Sequence, residues 1–347
     1  MRMASLRPPD SIPSPAQDSE RLSLALQGRG VDEKVIVWIL GHRNAIQRKR
    51  IKDTYQQLYK ESIIHRLQSK LSGVLKGCQV GREDLEEGKA GITQLQVIVE
   101  IACASSPNHL MAVRQAYCSL FDCSLEEAIT SKVSSSLQKV LLLGLVSSYR
   151  YDRELVDLNV AKSEAAKLHE AIEKKQLDRD EVMWILSTRN FFQLRATFKH
   201  YKQNYQVPIY QAIMSSGSDD LGSLLRVVIL CIDAPEKHFA EVIRASLSGH
   251  RTDVHSLARA ILARVEIDMM KIKEEYFNMN KVSLDDAVRS IAIPLIRERE
   301  RWPPTAMASQ RRRGRRSLAA WKDECVTGRN VWAGMELSVR LEYPMVW

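Results

Sequence analysis

Residues 24–44, LALQGRGVDEKVIVWILGHRN, carry the first candidate for chemistry: a helical pattern breaks at Gly28-Arg29-Gly30 and resumes after Asp32 and Glu33. Such a break is either a loop that holds a ligand or a plain turn between helices, with Asp32 and Glu33 as first-turn acids that favour the second helix. His42 stands beside Arg43 at the end of that second helix, a position that serves structure more readily than catalysis. The six cysteines (Cys78, Cys103, Cys118, Cys123, Cys231 and Cys325) include no CxxC pair. Cys118 and Cys123 have no histidine nearby at metal-ligand spacing, so the set reads as buried thiols of a reducing compartment. No GxxxxGK[ST], HExxH or GxSxG pattern occurs, so no catalytic set is expected and the chain does not read as an enzyme. Arg311 to Arg316, RRRGRR, form a basic run suited to anionic lipid, but five arginines without a folded context do not make nucleic acid an expected partner.

These residues need elements to position them, and the composition allows a large helical core. The chain has 347 residues, 45% of them hydrophobic, with 15 Gly and 11 Pro. That length suits about two domains or one array of repeats. The start, MRMASLRPPDSIPSPAQDSE, places prolines and a carboxylate where a secretory signal needs an apolar run. The longest apolar run, Val140 to Val146, is too short to cross a bilayer, so no transmembrane segment is expected. Net charge is +9, and residues 292–347 hold 11 Lys and Arg against 6 Asp and Glu, so the excess is concentrated at the end.

An internal repeat organises the helices. Aligning Tyr55, Tyr117, Tyr201 and Tyr276 at offsets of 62, 146 and 221 brings their neighbours into register without gaps. Eight residues on stand Ile63, Leu125, Ile209 and Leu284, and four further Leu67, Ile129, Ile213 and Val288. Fifteen residues before the tyrosines, Ile39-Leu40, Ile101-Ala102, Ile185-Leu186 and Ala260-Ile261 end a helix each. Val35, Trp38 and Ile39 form one helical stripe, and Ile51, Tyr55, Leu58 and Tyr59 another. Ser62, Ser124 and Ser283 are N-cap candidates before the next helix, with Pro208 as a first-turn residue in the third copy. The pattern is a fourfold array of amphipathic helical units.

The stretches GRGVDE with WILGHRN, VEIACASSPNHL, LEEAI with LVSSYRYD, and RTDVHSLARAILARVEIDMMKIKEEY resemble the annexins, most closely the plant type, over roughly residues 15–291. The resemblance implies an all-α array of four repeats of about five helices each, whose loops hold Ca²⁺ between the protein and acidic phospholipid headgroups. It implies that Leu26, Gly28 and Gly30 supply backbone carbonyls to calcium, with a bidentate carboxylate about 40 residues later. Glycine lets a loop curl tightly enough to turn several carbonyls onto one hard cation. It implies a peripheral protein of the cytoplasm, attached to the plasma membrane or endomembranes.

The chain also departs from that pattern. Lys70 stands 40 residues past Gly30, where the carboxylate belongs. The second repeat has Ala90, Ile92 and Lys132 at the three positions, the third Lys174, Gln176 and Ser216, and the fourth Gly249, Arg251 and Ile291. Asp219 and Asp220 lie close to Ser216 and leave the third repeat a residual donor pair. Calcium is therefore expected to bind weakly, with Leu26, Gly28 and Gly30 as the one credible set. The other course is a calcium-independent lipid- or protein-binding scaffold using helical surfaces and the arginine-rich tail. The expected organisation is an N-terminal segment at 1–14, repeats at 15–80, 81–155, 160–235 and 236–291, and a basic tail at 292–347. Between Ser72 and Leu95 five glycines replace the end of the first repeat and the start of the second, so the first repeat is incomplete. The fourth is cut short by Pro294 and Pro303-Pro304, and the tail beyond is expected to be disordered.

Overall fold

The computed structural model describes residues 13–27, 32–67, 92–216, 220–248 and 253–290. The tail, the glycine-rich segment 68–91 and the basic run RRRGRR lie outside them. Among the described residues every regular element is a helix. In the frame of the first repeat stand α1 (Pro15–Ala25), α2 (Glu33–Gly41) and α3 (Ala45–Tyr59), followed by a helical stretch at 63–67. The second holds α4 (Ile92–Ala104), α5 (Pro107–Phe121), α6 (Leu125–Lys132) and α7 (Ser136–Ser147). The third is a full set of five, α8 (Leu158–Glu173), α9 (Asp180–Thr188), α10 (Phe191–Tyr205), α11 (Ile209–Ser216) and α12 (Asp220–Asp233). The fourth holds α13 (Pro235–Ser248), α14 (Val254–Arg264), α15 (Met269–Asn280) and helical residues 284–290.

The register inferred from the tyrosines recurs in backbone detail. Each third helix ends on a left-handed residue: Lys60, Asp122, Gln206 and Lys281, at φ 53°, 54°, 61° and 59°. These are one position under the offsets 62, 146 and 221, and each donates its N–H to the carbonyl four residues back. None is glycine, so each bears a steric cost that its helix–turn–helix context must offset. Asn44, Ser106 and Asn190 cap the starts of α3, α5 and α10, again at one position. Ser124 closes a capping box with Glu127 before α6, and Ser283 Oγ accepts the Asp286 N–H before residues 284–290. Pro208 begins the turn into α11 without a side-chain acceptor, because the α11 N-terminus is held through its carbonyl, which accepts from Gln211 and Ala212.

Packing follows the same frame. Tyr55, Tyr201 and Tyr276 are buried, as are Ile63, Ile209 and Leu284 and the next set, Leu67, Ile129, Ile213 and Val288. Tyr117 is only half-buried. Three positions of the expected apolar stripes turn outward. Trp38 is 42% exposed and its third-repeat counterpart Trp184 53%, so the α2 stripe runs through Ile36, Ile39 and Leu40 instead. Leu58 and Tyr59 also face outward at the end of α3.

The chain divides into two compact units, one of Met1–Gln79 with Phe239–Trp347, the other of Val80–His238. In the second, α4 packs along α12 and α7 against α9, around a core that includes Val99, Leu145, Leu186, Leu225 and Ile229. The α7–α9 crossing is close at Gly144, where a Cβ would meet the Ser187 Cβ at 2.9 Å. In the first unit α1 packs on α2 and α3 around Leu22, Leu26, Ile39 and Tyr55. Glu266, from the turn after α14, accepts the Ala45 N–H at 3.0 Å and Arg48 Nη2 at 2.8 Å, tying the fourth repeat to the start of α3.

Candidate functional site

The α1–α2 loop is built from a firmly held stem. Ser14 and Gln17 form a capping box at the start of α1, with Pro15 in the first turn. The helix ends at Leu26, whose N–H is bonded to the Leu22 carbonyl and whose side chain is fully buried. Across the loop the Asp32 N–H donates to the Ala25 carbonyl at 2.9 Å. The Asp32 carboxylate accepts the Val35 N–H at 3.3 Å. Asp32 is therefore the N-cap of α2, one step outside the first turn in which the sequence suggested it, and its carboxylate is committed to the helix start. Of the carbonyl set, Leu26 stands at the entry of this closed excursion, while Gly28 and Gly30 lie outside the described residues, as does Lys70.

The fourth repeat reproduces that stem. The Asp253 N–H reaches the Ser246 carbonyl at 3.0 Å and its carboxylate caps Ser256 of α14, again at 3.0 Å. These are the counterparts of Asp32, Ala25 and Val35 at an offset of 221. Gly249, Arg251 and Ile291 fall outside the described residues. The third repeat turns differently: Lys175 is left-handed at φ 54°, and the Gln176 N–H closes onto the Ala171 carbonyl at 2.8 Å. There Lys174 Nζ lies 2.7 Å and Arg179 Nη1 3.4 Å from Glu170 Oε1 in the last turn of α8, so an exposed ion-pair cluster flanks the turn. Lys174 and Arg179 draw the Glu170 carboxyl below the ordinary carboxylate range. Ser216 ends α11 and offers no carboxylate, whereas Asp220 opens α12 as a first-turn acid and Asp219 lies outside the described residues. In the second repeat Ile92 is already inside α4 and Lys132 ends α6, while Ala90 is outside the described residues. Among the described residues no group of three or more His, Cys, Asp or Glu side chains is disposed to hold a metal ion.

The family model described as Annexin matches residues 17–80, 85–143, 163–228 and 238–291. The chain belongs to the annexin family. It is 49% identical over 302 residues to Annexin D3 of Arabidopsis thaliana, covering 82% of this chain and 94% of that one. It is 38% identical over 297 residues to Annexin D2 of the same plant, covering 82% and 93%. Among solved structures it is similar to annexin III, with 28% identity, a TM-score of 0.68, and 83% and 92% of the two chains covered. The calcium-bound annexin (Sm)1 structure, at 24% identity and a TM-score of 0.65 over 80% and 86% of the chains, shares the fold. It is thus a plant-type annexin, from a family whose property is calcium-dependent phospholipid binding.

A hard cation takes six to eight oxygens; of the counterparts of the first-repeat loop, Ile92 is helical in α4 and Lys174 is paired with Glu170 of α8. Sequence reading missed an arginine position shared by three repeats. Arg43 bonds Asp18 of α1 at 2.7 Å, and Arg189 bonds Glu164 of α8 at 2.6 Å, at the same pair of positions. In the fourth repeat the counterparts are Arg264 and Phe239, and the guanidinium lies 5.0 Å over the ring. The signal was available as an Arg three residues beyond three of the four apolar pairs, with Ser105 at the second. His42, the other candidate, has structural partners: its Nδ1 pairs with the Trp38 carbonyl at 2.9 Å, and its ring lies tilted against Trp38 with centroids 3.9 Å apart. Among the described residues no helix is long and apolar enough to cross a membrane.

Proposed function

We propose that this annexin attaches peripherally to acidic phospholipid and that its calcium affinity is low, resting on the single loop carried by Leu26, Gly28 and Gly30. The observation that supports it is the pinned α1–α2 stem: the Asp32 N–H is bonded to the Ala25 carbonyl and Leu26 is buried, so the two ends of the segment that carries Gly28 and Gly30 are held together. The stem offers carbonyls, but Asp32 is engaged as a helix cap and Lys70 replaces the remote acid. Calcium then has too few charged ligands without lipid phosphate, so it binds at the membrane surface and weakly in free solution. The working compartment under this reading is the cytoplasmic face of the plasma membrane or an endomembrane.

Liposome sedimentation tests the reading. With phosphatidylserine vesicles, millimolar calcium pellets the protein and chelator releases it, and Gly28→Val with Gly30→Val abolishes pelleting. A second reading, calcium-independent attachment through fixed cations, is favoured by the Lys174–Glu170–Arg179 clasp, which places an ammonium and a guanidinium where a calcium loop would be. Pelleting that survives chelator and fails at high salt selects that second reading. No pelleting in any condition overturns both and leaves a protein-binding scaffold.

A further inference from the structure

The expectation that the cysteines are buried holds for Cys103 and Cys231 but not for Cys118, which is exposed, or Cys123, which is half-buried. A more defined redox geometry lies in the third repeat, where two further rings close on a buried tyrosine. We propose that Tyr201 and His169 form a proton-coupled electron-donor site: the Tyr201 phenol gives one electron to small oxidants of the peroxyl-radical class while His169 takes the phenolic proton.

Tyr201 of α10 is 1% exposed, and its hydroxyl lies 3.2 Å from Nδ1 of His169 on the adjoining helix α8. The Tyr205 ring, one helical turn beyond, stacks on the imidazole with centroids 3.5 Å apart and planes within 15°, and its centroid is 4.8 Å from that of Tyr201. Among the described residues the Tyr201 hydroxyl meets no other acceptor, so the phenol donates, Nδ1 accepts, and the imidazole proton sits on Nε2. Burial pushes the Tyr201 hydroxyl up to about 12, with Glu173 and Tyr205 adding to the shift, so the group is a phenol at neutral pH. The fold does not demand this arrangement. Under the repeat offsets His169 corresponds to Ser23 and Arg244, and Tyr205 to Tyr59, Phe121 and Asn280. In the first repeat the buried Tyr55 hydroxyl donates instead to Glu61 at 3.3 Å. Among the described residues, a buried phenol bonded to an imidazole belongs to the third repeat alone.

A phenol that loses an electron becomes a strong acid, so the oxidation is easy only when the proton leaves with the electron. The bond to Nδ1 supplies that route. One electron passes from Tyr201 to the oxidant, the phenolic O–H bond breaks, and an N–H bond forms at Nδ1. The peroxyl radical is reduced to a peroxide anion, which takes a proton from water, and Tyr201 is oxidised to a neutral tyrosyl radical. The imidazolium that results lies against the face of Tyr205, where the ring quadrupole favours a cation. Tyr201 itself is closed to solvent, whereas Tyr205 and His169 are half-buried and reach the surface. The electron therefore leaves through the stacked rings, and the radical is shielded from coupling with a second molecule.

Freeze-quench electron paramagnetic resonance on the full chain tests this, with hexachloroiridate(IV) as the one-electron oxidant and isotope-labelled histidine nitrogen. The expected product is a tyrosyl radical whose spectrum carries a hyperfine coupling to a histidine nitrogen, as the bond between Tyr201 and His169 requires. Tyr201→Phe keeps the ring and should lose that radical, and His169→Phe should slow its formation on the order of 100-fold. A native radical without the nitrogen coupling, or no tyrosyl radical at all, overturns the proposal, as does an unchanged rate in His169→Phe. The native spectrum decides this by itself, whatever the folding of the variants.

Discussion

Asp18 and Arg43 are both almost fully buried, and a bidentate contact satisfies them: Arg43 Nε reaches one Asp18 oxygen at 2.7 Å and Nη2 the other at 3.0 Å. Removing one partner strands a charge away from water, so Arg43→Met should cost about 3–5 kcal/mol in urea unfolding. Arg189→Met should cost less, because Arg189 is partly exposed and its loss lets water reach Glu164. Equal losses would mean that burial does not set the cost. His42 gives a pH signature. Burial lowers its pKa below 6.5; the bond to the Trp38 carbonyl opposes that, and Arg43 adds to it. The unfolded chain therefore binds the proton more readily. The histidine's stabilising contribution is whole above the unfolded pKa of about 6.5 and is lost as pH falls through the folded value. His42→Phe keeps a ring on Trp38 but removes the titration, so its melting temperature should fall less between pH 7 and pH 5 than that of the parent. An unchanged slope would assign the acid sensitivity elsewhere. The Arg43–Asp18 pairing was not legible beforehand, since an Arg–Asp pair 25 residues apart becomes a contact only when helices pack, whereas His42 already read as structural from its place at the helix end.

At the scale of the element, capping and periodicity read well because both are local. Ser124 with Glu127 and the serine at 283 announce helix starts through atoms three residues away, and the structure keeps them; at Ser62 the backbone carbonyl accepts the Arg66 N–H. The left-handed caps were not legible, because Lys, Asp and Gln carry no glycine signal; only the offsets reveal them. Trp38 failed for a related reason. Its spacing fits the apolar stripe, yet a helix buries only the arc its neighbours cover, and α2 is covered on the side of Ile36 and Ile39. Close approach between elements is equally hidden from sequence. Gly144 in the apolar run of α7 looks like a weak point in a helix, but it is the spacer that lets α9 approach. Gly144→Ala gains helix propensity of about 1 kcal/mol and overpacks Ser187 at a cost of about 1–3 kcal/mol. Destabilisation by thermal melting is the expected net result, and Gly144→Ala with Ser187→Gly should recover it. A stabilised single variant would show that the crossing can open freely.

For the molecule as a whole, the repeat that was visible in sequence also fixes how two repeats meet. Glu266 is the counterpart of Ala45 under the 221 offset, and the two residues touch. The first and fourth repeats therefore meet at equivalent positions within their unit. The candidate site was legible only as a list of positions: how the stems of the loops are pinned, and which counterpart positions are helical or ion-paired, required coordinates. That distinction sets the last expectation. A ligand that binds the folded state stabilises it by RT ln(1 + [L]/Kd), so a site with Kd at or above 1 mM adds at most about 0.4 kcal/mol at 1 mM calcium. With Lys70 in place of the acid and the third-repeat loop closed by Lys174 and Arg179, calcium alone should leave the melting temperature nearly unmoved, and chelator should not lower it. Phosphatidylserine vesicles together with calcium should raise it, because lipid phosphate supplies the missing oxygens. A large shift with calcium alone would require a complete protein shell, and the low affinity proposed for the Leu26, Gly28 and Gly30 loop would then be wrong.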